Sequence, residues 1–138
     1  MAAMQVSQTK TSQENQTKIH CLDPVDDIEK YYAAADIFVL PSIYEPFGNA
    51  NLEALASGLP VVTSAHSGAA EILEHEENGM VVKNPSDPKE IADNINHLFD
   101  PTARESMGRN ARFLAEKFTQ GRNLDEMIKV YQKVLSVR

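Results

Sequence analysis

Residues 37–68 read IFVLPSIYEPFGNANLEALASGLPVVTSAHSG, and the punctuation of this stretch decides the fold. Ile37, Phe38, Val39 and Leu40 run without a polar interruption and are stopped by Pro41, as expected for a strand covered on both faces of a parallel sheet. A loop follows, and residues 51–57 then carry a short helix closed by Gly58. Pro60 leads into a second apolar strand, Val61, Val62 and Thr63. A strand, a helix and a second strand in succession form a crossover unit, which is right-handed and pairs its strands in parallel.

The same rhythm continues toward the carboxyl terminus. Ser67 and Gly68 open a helical turn through Glu71, Ile72 and Leu73, Asn78 and Gly79 make a turn, and Met80, Val81 and Val82 form a third strand. Ser86, Asp87 and Pro88 start a helix with Ile91, Ile95, Leu98 and Phe99 on its inner face. Two more helices are predicted, near residues 102–116 and 124–135, the second with Leu124, Ile128, Tyr131 and Leu135 at helical spacing.

Upstream, Ile19, Cys21 and Leu22 read as a short strand. Asp23 and Pro24 read as the cap and first turn of a helix whose buried stripe is Ile28, Tyr31, Tyr32 and Ala35. Residues 1–18 are polar and lack apolar periodicity, which reads as a flexible leader or linker before a single domain over 19–138. The fold class is α/β, a Rossmann-like doubly wound parallel sheet with carboxyl-terminal helices, whose ligands sit beyond the carboxyl ends of the strands.

Composition narrows the function. Thirteen Lys and Arg against 20 Asp and Glu give a net charge of −7. Such a chain repels polyanions, which argues against nucleic acid or an anionic membrane as partner. Cys21 is the only cysteine, so no internal disulfide and no cysteine-based zinc site is expected. No apolar run approaches the roughly 18 residues of a membrane span, and the first residues lack the pattern of a secretory signal, so a cytoplasmic location is expected.

The chemistry-bearing residues lie between the first two strands. Glu45 stands just past one strand end and Glu53 in the early turns of the next helix, a spacing that lets both face one crevice. Carboxylates accept hydrogen bonds from neighbouring hydroxyls and so suit a sugar diol. Between them, Phe47, Gly48, Asn49 and Ala50 place backbone N–H groups at a helix amino terminus, where the macrodipole favours an anion. Ser67 and Gly68 offer a second opening of this kind.

Each feature also has a plain structural reading. Two glutamates at this spacing are otherwise ordinary solvated carboxylates, and Gly48 and Gly68 serve turn geometry alone. His20, His66, His75 and His97 are scattered and read as surface or structural residues, with His66 alone beside a strand end. Tyr31, Tyr32, Met107 and Met127 lie on helical stripes and read as core. Arg104, Arg109 and Arg112 form a basic helix face, read as solvated and as a remote candidate for neutralising a phosphate.

In order and spacing, DIFVLPS at 36–42, EPFGNANLEALASGLPVV at 45–62, SGAAEIL at 67–73 and NGMVV at 78–82 resemble the carboxyl-terminal domain of retaining GT-B glycosyltransferases of family 4, the group 1 glycosyltransferases. The resemblance covers residues 19–138 and implies a partial nucleotide-sugar-binding domain, truncated at its amino end. It implies that Glu45 is catalytic and touches donor-sugar hydroxyls, and that Glu53 holds the ribose. It further implies that Phe47, Gly48, Asn49 and Ala50, with Ser67 and Gly68, support the donor, and that backbone at Cys21, Leu22 and Asp23 contacts the base. Asp23 stands where the family commonly has Gly.

No metal and no cofactor are implied, and the chain has no HEXXH, DXD or cysteine cluster. The donor is a UDP-, GDP- or ADP-linked sugar, and the implied reaction transfers a hexose, with retention, to a carbohydrate or lipid-linked acceptor. The resemblance also implies two further strand and helix units, with an Arg and a Lys on the donor diphosphate, and an amino-terminal acceptor domain. The expected partners are therefore that domain or a companion chain, or another copy joined through an exposed sheet edge, and turnover by this chain alone is expected to be feeble. Two other readings stand beside it: a non-catalytic nucleotide-sugar-binding subunit of a two-chain transferase, and an inactive gene fragment.

Overall fold

The computed structural model describes residues 19–136; the segment read as a leader lies outside the described residues. Three strands, β1 (Phe38–Leu40), β2 (Val61–Ser64) and β3 (Met80–Val82), form one sheet in the order β1-β2-β3. Both pairings are parallel, with Phe38 opposite Val61 and Val62 opposite Met80. The helices are α1 (Ile28–Ala34), α2 (Asn49–Ala56), α3 (Pro88–His97), α4 (Pro101–Ala115) and α5 (Gln120–Ser136), and a single 3-10 turn spans Gly68–Glu71. This is the parallel, Rossmann-like arrangement expected from the alternation of apolar strands and helices.

β2 is the centre, and all four of its residues are buried. Successive side chains of a strand point to opposite faces, so Val61 and Val62 feed two different cores. Val61 packs with Tyr32, Ala54, Leu55, Leu59, Ala111 and Ala115, joining α1, α2 and the second half of α4. Val62 packs with Met80, Val82, Leu98 and Met107, joining β3, the end of α3 and α4. Leu55 and Leu98 are fully buried, and each contributes about 1.5–3 kcal/mol by leaving water.

The helix boundaries have local causes. Asp87 caps α3 by accepting from the amides of Lys89 and Glu90, and Asp100 caps α4 by accepting from Thr102 N, each with proline in the first turn. α2 ends at Ala56, and Gly58 just beyond it turns the chain with a φ of 79°, the left-handed conformation that glycine adopts without strain.

Several expectations are corrected. Ile19, Cys21 and Leu22 form no strand: the segment is irregular and Ile19 is 84% exposed. A strand needs a hydrogen-bonded neighbour, and in a doubly wound sheet this one would not lie beside β1. α1 starts at Ile28, after Asp27, and not at Asp23 and Pro24; a helix begun there would run a full turn before its first core contact. Of its predicted stripe only Tyr32 is buried, leaving Ile28, Tyr31 and Ala35 exposed.

β1 is not covered on both faces, since Val39 is exposed. Phe99 faces outward because α3 has already ended at His97, so the chain turns at Leu98, which takes the core position instead. Met107 is core as expected, whereas Met127 is exposed along with the whole apolar stripe of α5, which buries no residue.

Candidate functional site

The carboxyl ends of β1 and β2 are tied together residue by residue. Thr63 Oγ1 donates to Leu40 O at 3.1 Å and Ser64 Oγ donates to Ser42 O at 2.5 Å, which directs the loop leaving β1 across the top of β2. Farther on, Glu45 N donates to His66 O at 3.4 Å and Gly68 N donates to Glu45 O at 3.0 Å, a parallel bridge between Glu45 and Ser67 that continues the ladder beyond the strands. Glu45 is thus held by its backbone, and its half-buried side chain is free for other work.

The next loop turns on Gly48, the cap of α2, at φ 72° and ψ 78°. A Cβ there would stand 2.7 Å from Asn51 Nδ2 and 2.9 Å from Glu45 Cγ, so the Glu45 side chain lies directly against the start of α2. α3 and α4 have aspartate caps; α2 has no side-chain cap at all. The orphan amides of a helix amino terminus need an acceptor, and here the chain leaves the first amides of α2 without a side-chain acceptor.

Gly68 serves the same close approach from the other side. A Cβ on it would collide with Pro46 O and stand 3.0 Å from Pro46 C. Both site glycines therefore have steric reasons to be glycine. Between the two loops lies Asn51, fully buried, whose role the sequence reading missed. Its Nδ2 donates to Ser67 Oγ at 3.5 Å, while Ser67 Oγ donates to Phe47 O at 3.3 Å and accepts from Ala69 N at 3.3 Å. Asn51 Oδ1 is buried without a partner among the described residues. The signal available was only that a buried polar residue of a helix must have partners.

Glu53 sits a turn into α2, exposed, and its Oε2 accepts a 3.0 Å hydrogen bond from the buried Tyr32 of α1. Burial pushes the Tyr32 phenol up to about 12, helped by that hydrogen bond and by the carboxylate's charge. Glu45 therefore lies in the loop against the amino terminus of α2, and Glu53 lies on α2 itself, on the flank toward α1. Cys21, Leu22 and Asp23 lie exposed in the irregular segment that leads into α1.

Other candidates separate from this site. An open cavity of about 590 Å³ is lined by Asp36, Gly58, Pro60, Gly108, Arg104, Arg109 and Arg112 among others. Asp36 lies two residues before β1 and Pro60 immediately before β2, so this cavity is at the amino end of the sheet. Arg104 also lies 3.7 Å from Asp36 and donates to Leu98 O, and Arg112 donates to Ala56 O, so these cations are engaged at the end opposite the carboxylates. His66 is exposed and touches the site through its backbone, and His75 Nδ1 accepts from Val81 N, a structural bond. Among the described residues no cluster of three or more His, Cys, Asp or Glu is disposed to hold a metal ion, and no helix is long and apolar enough to cross a membrane.

With the geometry defined, comparison with known proteins assigns the family. The model of the family described as "Glycosyl transferases group 1" matches residues 4–113. The chain belongs to the group 1 glycosyltransferases. The match begins inside the segment read from sequence as a leader. A relative, the uncharacterized glycosyltransferase MJ1607 of Methanocaldococcus jannaschii, is 41% identical over 109 residues, covering 78% of this chain and 28% of its own.

Two solved structures show the same fold. Sucrose-phosphate synthase from Thermosynechococcus elongatus aligns with a TM-score of 0.72 at 34% identity, over 80% of this chain and 28% of that one. The Anabaena protein Alr3699/HepE, solved in complex with UDP-glucose, aligns with a TM-score of 0.69 at 30% identity, over 83% of this chain and 31% of that one. The fold is accordingly that of GT-B glycosyltransferases, as the resemblance implied. This chain spans under a third of the length of each of these proteins.

Proposed function

We propose that this group 1 chain forms the donor side of a retaining hexosyltransferase and binds a nucleoside-diphosphate sugar across the start of α2. Glu45 takes hydroxyls of the donor hexose, Glu53 takes the ribose diol, and the amides of Phe47, Gly48, Asn49 and Ala50 with Ser67 and Gly68 support the sugar and the diphosphate. Backbone at Cys21, Leu22 and Asp23 lies on the base side. The reading rests above all on α2, the helix that begins after a left-handed glycine with no side-chain cap and with Glu45 packed against that glycine. An uncapped helix amino terminus places partial positive charge where an anion belongs. The UDP-glucose complex of the structural neighbour Alr3699/HepE supports the ligand class.

In the transfer proposed here, the bond between the anomeric carbon and the diphosphate oxygen breaks while an acceptor hydroxyl attacks from the same face and passes its proton to the departing diphosphate oxygen. The departing diphosphate carries the developing negative charge, and stabilising that charge is a main source of rate. The α2 amides supply part of the stabilisation. Cations for the remainder come from outside these residues, because Arg104, Arg109 and Arg112 lie at the other end of the sheet. The exposed Val39 on β1 and the exposed apolar stripe of α5 favour a chain that works against a companion domain or polypeptide.

Calorimetric titration of the chain with UDP-, GDP- and ADP-sugars tests the reading. One base series is expected to give saturable heat that Glu45→Gln and Glu53→Gln each weaken. A folded sample that gives no heat with any donor overturns it.

A further inference from the structure

Tyr32 does more than fill the core. Its ring is buried edge-on to Phe38, with centroids 5.8 Å apart at 66°, in the cluster that includes Leu55 and Val61. Its hydroxyl leaves that cluster and donates to Oε2 of Glu53, an exposed carboxylate on a different helix, 21 positions along the chain. The donor is stiff, because a packed aromatic ring has only two side-chain torsions to lose. The acceptor is not, because a surface glutamate is rich in rotamers and must surrender that freedom when it grips a ligand.

A carboxylate has about four acceptor positions on its two oxygens. The tyrosine uses one of them, on Oε2, and leaves the rest in a fixed orientation. We propose that Tyr32 is a positioning residue for the nucleotide ribose, holding Glu53 in the rotamer that offers Oε1 and the remaining lone pair of Oε2 to two adjacent hydroxyls. The inference rests on the reading of Glu53 as the ribose carboxylate given above.

The geometry has a second consequence. α1 follows directly on the segment holding Cys21, Leu22 and Asp23, and the Tyr32–Glu53 bond is its polar tie to α2. One hydroxyl therefore registers the base side of the site against the ribose side. The phenol, with its proton held up to about 12, remains a donor throughout the neutral range. Tyr32→Phe removes the donor and keeps the ring, so the packing against Phe38 survives and the two roles of the residue separate.

The experiment titrates the full chain, as wild type, Tyr32→Phe, Glu53→Gln and the double variant, with UDP, GDP and ADP and with the 2′,3′-dideoxy form of each. A hydrogen bond to a charged group corresponds to roughly ten-fold in affinity, so the wild type is expected to prefer its ribonucleotide over the dideoxy form by about that factor or more. Tyr32→Phe is expected to weaken ribonucleotide binding about three- to ten-fold and dideoxynucleotide binding less than about two-fold. The double variant is expected to bind no worse than Glu53→Gln.

A Tyr32→Phe chain that melts like the wild type and keeps its ribose preference overturns the inference, as does a double variant whose losses multiply, and both leave the donor-site reading standing. A wild type that binds nucleotide without any ribose preference overturns the role of Glu53 and this inference with it, and a wild type that binds none overturns the whole site. If Tyr32→Phe fails to fold, 3-fluorotyrosine placed at position 32 alone makes a stronger donor of the same shape. The ribose preference must then rise, and an unchanged preference overturns the inference.

Discussion

α4 and α5 are neighbours in the chain, of similar length, and both carry apolar residues at helical spacing, yet they have opposite fates. α4 buries Met107, Gly108, Ala111 and Ala115 against β2, α2 and α3, whereas α5 buries nothing. The stripe of α5 is the more regular of the two, with Leu124, Ile128, Tyr131 and Leu135 all exposed. Periodicity therefore announces that a face is meant to be covered and says nothing of what covers it. In α4 the covering surface is within the chain; for α5 no described residue supplies it.

This contrast can be broken or sharpened by substitution. The largest effect is expected at the centre of the covered region, where Leu55→Ala leaves a cavity beside Val61 and should cost about 2–5 kcal/mol in urea unfolding; a loss below about 1 kcal/mol would show that this core is loose. Next is Gly108→Ala on α4, whose added Cβ would stand 2.5 Å from Gly58 O at the close contact between α4 and the end of α2. Overpacking against backbone of this kind costs roughly 1–3 kcal/mol, and an unchanged midpoint would show that the two helices are free to separate.

A third test uses pH. The Tyr32 phenol is raised from 10.0 to about 12 by burial, the Glu53 hydrogen bond and the Glu53 charge. The unfolded chain therefore gives up this proton at lower pH than the folded one, so its contribution to stability is complete below pH 10 and is lost as pH rises toward 12. At full size this loss is about 2–3 kcal/mol. Melting curves from pH 9 to 12 should fall more steeply for the wild type than for Tyr32→Phe, and parallel curves would deny the coupling between α1 and α2. The smallest effect belongs to α5, where Leu124→Ser should shift stability by no more than about 0.5 kcal/mol. A loss comparable to that of Leu55→Ala would mean that the stripe is already covered in the isolated chain.

What was legible from sequence follows the same division. The end of β1, the end of α2 and the starts of β2, β3 and α3 stand where Pro41, Gly58, Pro60, Asn78 with Gly79, and Asp87 with Pro88 placed them, because those residues act locally. Ile19, Cys21 and Leu22 read as a strand because alternation reports a preference, and a preference without a hydrogen-bonding neighbour does not become a sheet. Phe99 continues the helical spacing of Ile91, Ile95 and Leu98, but α3 ends before it and the chain has already turned.

At the site, Glu45, Gly48 and Gly68 were legible from the loop, since strand ends and helix starts are marked by proline and glycine. Asn51 and the hydroxyl of Tyr32 were not. Their partners, Ser67 and Glu53, lie 16 and 21 positions away and meet them only once the sheet has formed.

Amide-resolved NMR of the full chain, titrated with the donor nucleotide to saturation, tests the central claim most directly. The account predicts that the shifts concentrate on residues 45–53 and on Ser67 and Gly68, and that α5 and the residues around Asp36, Arg104 and Arg109 stay still. Shifts centred on that arginine-lined cavity, with residues 45–53 unmoved, would contradict it.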